Sequence, residues 1–161
     1  MPGKRIIKTQ EIQLIVYDFD GVMTDNKVLV FPDGKEGVFC NRNDGLAVSI
    51  IKARGIRQLI ISTEINKIIQ VRAKKIGLPV INAVKDKKKC LIDYCRRHKL
   101  RLDRIVYVGN EINDLEAMKV VGWPLCPFDA HWRIKKTAKT ILTKKGGEGV
   151  IRELADILFH D

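Results

Sequence analysis

Short apolar runs, several of them β-branched, alternate along this chain with longer amphipathic segments, and that rhythm admits few folds. The runs are Leu14–Tyr17, Gln58–Ile61, Val80–Ile81, Ile105–Val108 and Thr140–Leu142. Between them, Asp44–Arg54, Asn66–Ile76, Asp86–His98, Leu115–Val121 and Gly149–Phe159 carry apolar residues at helical spacing. In Asp86–His98 the stripe is Cys90, Leu91, Tyr94 and Cys95. Strands with no polar face must be covered on both sides. Strands alternating with helices therefore predict an α/β domain, a three-layer sandwich with a mainly parallel sheet and right-handed crossovers. Gly55, Gly77 and Gly122 fall just past helix ends, where a left-handed residue is expected. At 161 residues and 45% hydrophobic, residues 1–161 suit a single domain with a substantial core.

One segment breaks the rhythm. In Lys27–Asn41 two strand-like runs flank Pro32-Asp33-Gly34-Lys35-Glu36-Gly37, a stretch of strong turn chemistry. This predicts a β-hairpin inserted after the first strand. It would expose Val28, Val30, Phe31, Val38 and Phe39, which calls for a packing partner such as a neighbouring subunit.

Several function classes are disfavoured. No stretch approaches the roughly 20 apolar residues of a membrane span. The start, Met-Pro-Gly-Lys-Arg-Ile-Ile-Lys, lacks the apolar core of a signal peptide. Both readings point to a cytoplasmic protein away from membranes. Cys40, Cys90, Cys95 and Cys126 form no CxxC pair, so reduced and mostly buried thiols are expected rather than a zinc site. The net charge is +11, yet aromatics make up 6% and no basic stripe is interleaved with them, which argues against nucleic acid. A positive field steers an anionic small substrate.

Four polar clusters stand at the ends of predicted strands. Asp18 and Asp20, followed by Gly21, Thr24 and Asp25, close the first run. Side chains at i and i+2 of a strand point the same way, so both carboxylates would emerge together, a like-charge arrangement that a divalent cation or phosphoryl transfer would use. Ser62 and Thr63 follow Leu59-Ile60-Ile61, placed either to cap the next helix or to bind phosphate. Lys85, Lys87, Lys88 and Lys89 precede the third helix, a solvated charge run from which one lysine can reach inward. Gly109-Asn110-Glu111-Ile112-Asn113-Asp114 follows Ile105–Val108, offering oxygen donors suited to magnesium or an N-cap at Asn113 or Asp114. Together the four ends supply a nucleophile, an acid/base, a phosphate cradle, a counter-charge and metal ligands.

This order of motifs resembles the haloacid dehalogenase superfamily of phosphatases. Asp18-Phe19-Asp20-Gly21-Val22-Met23-Thr24-Asp25 looks like its first motif, DxDGxxTD, with Ser62, Lys87 and the Gly109 cluster at the second, third and fourth. The likeness is nearest to the small capless phosphatases of 3-deoxy-octulosonate 8-phosphate and of nine-carbon sugar-acid 9-phosphates. That branch also forms the carboxy-terminal domain of some acylneuraminate cytidylyltransferases. The resemblance covers nearly the whole chain, including the hairpin, Asn43-Asp44-Gly45 and Gly146-Gly147-Glu148-Gly149-Val150-Ile151-Arg152-Glu153.

It implies a Rossmann-like sandwich and a homotetramer acting on an anionic sugar-acid phosphate. Asp18 would attack phosphorus, Asp20 would act as acid and then base, and Ser62, Thr63 and Lys87 would hold the phosphoryl oxygens. Mg²⁺ would be held by Asp18, the Asp20 carbonyl and Asn110, with Glu111 or Asp114 in support. Two departures matter, one from the branch as a whole and one from its octulosonate members. Gly109-Asn110-Glu111 replaces the usual Gly-Asp-Asp, a neutral amide for a charged ligand, which weakens the expected magnesium binding. Ser62-Thr63-Glu64 and Gly146-Gly147-Glu148-Gly149 look like the nine-carbon type, with Glu64 accepting from sugar hydroxyls and Lys75 pairing with Glu64 or the substrate carboxylate. The resemblance thus implies a phosphatase, with a weakly active or inactive oligomerisation module as the alternative.

Overall fold

A computed structural model describes residues 8–159. Residues 1–7, read above for a targeting segment, lie outside the described residues. In chain order the strands are β1 (Leu14–Tyr17), β2 (Leu29–Val30), β3 (Glu36–Gly37), β4 (Arg57–Ile61), β5 (Val80–Ile81), β6 (Ile105–Val108), β7 (Trp123–Cys126) and β8 (Thr140–Ile141). The helices are α1 (Arg42–Ala53), α2 (Ile68–Ile76), α3 (Lys87–His98), α4 (Leu115–Met118), α5 (Trp132–Thr137) and α6 (Val150–Phe159). Six strands make one sheet in the order β5-β4-β1-β6-β7-β8, with every pair parallel. The sheet is the α/β, Rossmann-like sandwich that the alternation predicts.

Strand alternation divides the core. Ile15 and Tyr17 of β1 face one layer, with Val48 and Ile51 of α1, Ile69 of α2 and Leu154 of α6. Leu14 and Val16 face the other, with Leu91 of α3, Met118 of α4 and Ile134 of α5. Chain order reverses between β1, which is followed across the sheet by β4 and β5, and β6, which is followed by β7 and β8. Open α/β sheets take their ligands outside the strand carboxyl ends at such a point.

Two elements escape the reading of the sequence, and two readings need correcting. β7 was not expected, because Pro124 argues against an interior strand; here it contributes its carbonyl, which accepts from Lys139 N at 2.8 Å. Helix α5 is only six residues long, too short for a period to register. Gly122 does not take the left-handed conformation of Gly55 and Gly77. It is a close-approach glycine, since a Cβ there would overlap the backbone of Asp103. In the hairpin, Glu36 and Gly37 belong to a strand rather than to the turn, and Val38 turns inward against the core. Val28, Leu29, Val30, Phe31 and Phe39 are exposed, Phe39 at 74%.

All four cysteines are free, Cys95 and Cys126 buried and the other two half-buried. No helix among the described residues is long and apolar enough to cross a membrane.

Candidate active site

Strand pairing in β1 ends at Tyr17, so Asp18 and Asp20 stand in the turn that follows and not in the strand itself. Asp18 N still donates to Val108 O at 2.9 Å, which fixes the turn against β6. The two acids stand in different settings. Asp18 is buried and Asp20 half-buried. Asp18's close acidic neighbour is Asp114, and Lys87 lies between them, 2.9 Å from Asp18 Oδ1 and 2.8 Å from Asp114 Oδ1.

Lys87 is the first residue of α3 and is 2% exposed. The helix starts there because Asp86 caps it, its carboxylate accepting from Lys89 N at 2.9 Å. That start turns Lys87 inward and leaves Lys88 and Lys89 on outer positions. Burial pushes the Lys87 ammonium down, but Asp18 and Asp114 outweigh it and hold it charged, above the ordinary lysine value. Burial, and then repulsion from Asp114, push Asp18 up to about 7 against the opposing pull of Lys87.

Asp114 accepts four hydrogen bonds. Lys87 Nζ and Tyr107 OH reach Oδ1, while the backbone N–H groups of Asn110 and Glu111 reach Oδ2 at 3.0 and 3.2 Å. It thus shapes the Gly109–Asp114 loop. A Cβ at Gly109 would stand 2.6 Å from the Asp114 Cβ. Glu111 is the N-cap of this loop's short turn, where Asp114 completes a capping box; Asp114 also holds the N-cap position of α4, without a side-chain cap bond there, and Asn113 caps neither. The exposed Glu111 carboxylate accepts from Ile112 N at 2.7 Å, so it serves its own turn.

Asn110 is buried, and its side chain meets Asp18 and Asp20. In one orientation of the amide, Oδ1 stands 2.9 Å from the Asp20 carbonyl oxygen and 3.0 Å from Asp18 Oδ2, three acceptors together. Turned over, the NH₂ donates to both. Neighbouring ligands of an octahedral Mg²⁺, each at about 2.1 Å, stand about 3.0 Å apart, so both distances from Asn110 Oδ1 match that spacing. Among the described residues no cluster of three His, Cys, Asp or Glu side chains offers a metal site. The donors here are one carboxylate, one carbonyl and one amide. Gly21 makes room for them: with φ 83°, it sits where a Cβ would overlap the Asn110 amide. A Cβ at Gly146 would likewise overlap the Gly21 carbonyl, and Gly147 N donates to Val22 O at 3.1 Å.

Ser62 is buried at the end of β4, but it caps no helix, since α2 begins only at Ile68. Its Oγ accepts from Glu64 N at 3.1 Å. Thr63 is exposed, and its Oγ1 lies 3.4 Å from Asn113 Nδ2 across the cleft. Glu64 is on the wall of a cavity of about 310 Å³ beside Asp20. Lys75 is not brought to the site. It is exposed in the last turn of α2 and forms no ion pair with Glu64, whose Oε1 accepts instead from Ile65 N and Asn66 N.

Sequence reasoning missed Tyr107, Glu36 and Asn66. Tyr107 had a signal: a hydroxyl in an otherwise apolar buried strand needs a partner. Glu36 and Asn66 had none, since their bond at 2.6 Å joins residues 30 apart in the chain.

The model of the haloacid dehalogenase-like hydrolase family matches residues 47–154, more than half of the chain. The chain belongs to this family. A solved structure of a Streptomyces avermitilis MA-4680 protein, provisionally assigned as a HAD family hydrolase, superposes on this hydrolase with a TM-score of 0.93. It is 36% identical, covering 96% of this chain and 88% of the other. The 3-deoxy-D-manno-octulosonate 8-phosphate phosphatase of Moraxella catarrhalis, solved with magnesium, phosphate and KDO, gives a TM-score of 0.89 at 26% identity over 93% and 87% of the two chains. The corresponding phosphatase KdsC of Escherichia coli K12 is 26% identical over 95% of this chain and 82% of its own length. N-acylneuraminate cytidylyltransferase A of Danio rerio is also 26% identical, over 92% of this chain, which spans only 35% of that longer protein. This hydrolase is a phosphatase of the family.

Proposed function

We propose that this phosphatase hydrolyses the phosphomonoester of a 2-keto-3-deoxy sugar acid, a nine-carbon 9-phosphate ahead of 3-deoxy-octulosonate 8-phosphate. The observation that carries the reading is Lys87 held between Asp18 and Asp114 while the Asn110 amide reaches both the other oxygen of Asp18 and the Asp20 carbonyl. Likeness to octulosonate phosphatases and to an acylneuraminate enzyme supports the substrate class. Glu64 on the cavity wall supports the nine-carbon preference.

A carboxylate oxygen of Asp18 attacks phosphorus as the bond to the sugar oxygen breaks, and Asp20 gives that oxygen its proton. Asp20 then takes a proton from water, which attacks the aspartyl-phosphate and frees phosphate and Asp18. Ser62, Thr63 and Lys87 hold the phosphoryl oxygens through both displacements. Burial and Glu64 keep the Asp20 carboxyl above its ordinary value, which suits a proton donor. Asp18 Oδ2, the Asp20 carbonyl and Asn110 would hold Mg²⁺, and Asp114 would support them from behind. The bound ion supplies positive charge that favours ionised Asp18 and offsets its repulsion from the phosphate.

The exposed hairpin residues fit a homotetramer in which a neighbouring copy covers them. The decisive assay measures phosphate release from both sugar-acid phosphates with Mg²⁺, before and after chelation. Turnover well above that of Asp18→Asn, and lost with the metal, is expected. Turnover no greater than in Asp18→Asn would overturn the reading and favour an assembly module.

A further inference from the structure

We infer that Lys27 and Glu36, held by Asn66, form a second recognition point for the leaving group, with Glu36 accepting from its hydroxyls and Lys27 pairing with its carboxylate. This rests on the sugar-acid reading above.

The cavity beside Asp20 has one wall from the hairpin and one from the β4–α2 connection, over an apolar floor that includes Phe19. At about 310 Å³ it lies at the lower end of small-molecule sites, room for a single sugar. The two walls are joined at one place, where Asn66 Nδ2 donates to Glu36 Oε2 at 2.6 Å. The Asn66 amide is itself oriented, because its Oδ1 accepts from Ile68 N at 3.0 Å. Glu36 is thereby aimed, and among the described residues nothing donates to its Oε1. Asn26, left-handed at φ 64°, turns the chain between the acidic motif and the hairpin, just before Lys27.

The charges on this lining constrain what it accepts. Asp20, Glu36 and Glu64 are acids, and Lys27 is the one cation among the described residues that line it. Lys27 makes no ion pair among them, whereas Lys87 is committed to Asp18 and Asp114. Asp20 enters as the proton donor, so Glu36 and Glu64 supply the negative charge, which repels a leaving group that carries several anionic groups, as a nucleotide or a bisphosphate does. These two carboxylates suit a polyol that donates hydrogen bonds. One lysine balances one carboxylate. The cavity thus selects a hydroxyl-rich molecule with a single acid group beyond the phosphate.

The test compares three esters on the Mg²⁺-loaded enzyme: a sugar-acid phosphate, a neutral aldose phosphate of similar length, and p-nitrophenyl phosphate. Lys27→Met should raise KM for the sugar-acid phosphate at least tenfold, while kcat/KM for the other two stays within about twofold. Glu36→Gln keeps the bond to Asn66 and should raise KM for both sugar esters but not for the aryl ester. Both side chains are exposed, so thermal unfolding should not move. Equal factors on all three esters, or no change on any, would overturn the recognition point. Calorimetric binding of the free sugar acid separates this from the reading beneath it. If no ester is turned over but Lys27→Met still abolishes that binding, hydrolysis falls and the recognition point stands.

Discussion

Asp114 and Asp44 are both buried aspartates that tie separate elements together, and they are satisfied to very different degrees. Asp114 accepts four hydrogen bonds and faces an ammonium group at 2.8 Å. Asp44, on α1, caps α6 from outside: its Oδ1 accepts from Ile151 N and Arg152 N at 3.0 and 3.1 Å, while its buried Oδ2 has no partner. Burial pushes Asp44 up to about 6, against those two bonds and Arg72. A clamp between two helices tolerates a spare oxygen. A carboxylate that must hold Lys87, Tyr107 and the Asn110 loop in fixed positions leaves none spare, because a group free to turn would misplace its neighbours.

The harshest way to break the contrast is Lys87→Met, which leaves Asp18 and Asp114 facing each other unpaired. Removing one partner of a buried ion pair costs about 3–5 kcal/mol, and for a chain of this size each kcal/mol shifts the midpoint by about 2–4 °C. Thermal unfolding should therefore fall by about 10 °C, with turnover abolished. Adding Asp114→Asn should recover much of the stability and none of the turnover; recovery of activity would show that Lys87 only neutralises charge.

Gly21→Ala comes next. Its φ alone costs about 1–2 kcal/mol for a residue with a Cβ, and the methyl displaces Asn110 as well. Metal affinity, titrated through activity, should drop by roughly 10–100-fold. An unchanged affinity would take Asn110 out of the metal site.

Asp44 offers a pH test. Its folded value of about 6 exceeds the ordinary 3.8, so the folded state holds a proton that the unfolded chain releases. The associated stability is fully present below pH 4 and is lost as pH rises through 6, about 3 kcal/mol by the standard conversion. Denaturant melts of wild type and Asp44→Asn at saturating Mg²⁺ should diverge over that window, the variant falling less. Parallel curves would mean that Oδ2 finds a partner in solution. The mildest change is Phe39→Ser, at a residue that touches solvent: unfolding of the single chain should not move, and light scattering should show a smaller assembly. An unchanged molar mass would remove the hairpin from the interface.

Most of the sheet was legible because its strands are unbroken apolar runs with helical stripes between them. β7 was not, since one proline outweighs three apolar neighbours in a four-residue strand. Of the candidate site, the meeting of Asp18, Lys87 and Asn110 was legible because each stands at or just past a strand end or a helix start. Spacing misled where a side chain served its own turn, as with Glu111, or pointed away along a helix, as with Lys75. Contacts between distant segments, such as Glu36 with Asn66 or Asp44 with α6, left no local trace.

Asn110 carries both polarities in one side chain. An aspartate there would bind a cation more tightly and, once stripped of it, would add a further negative charge beside Asp18. The amide can rotate and let its own NH₂ stand where the cation's charge would act. With an amide at this position the cluster carries its own donor, so Asp18 Oδ2 and the Asp20 carbonyl stay hydrogen-bonded whenever no cation stands between them.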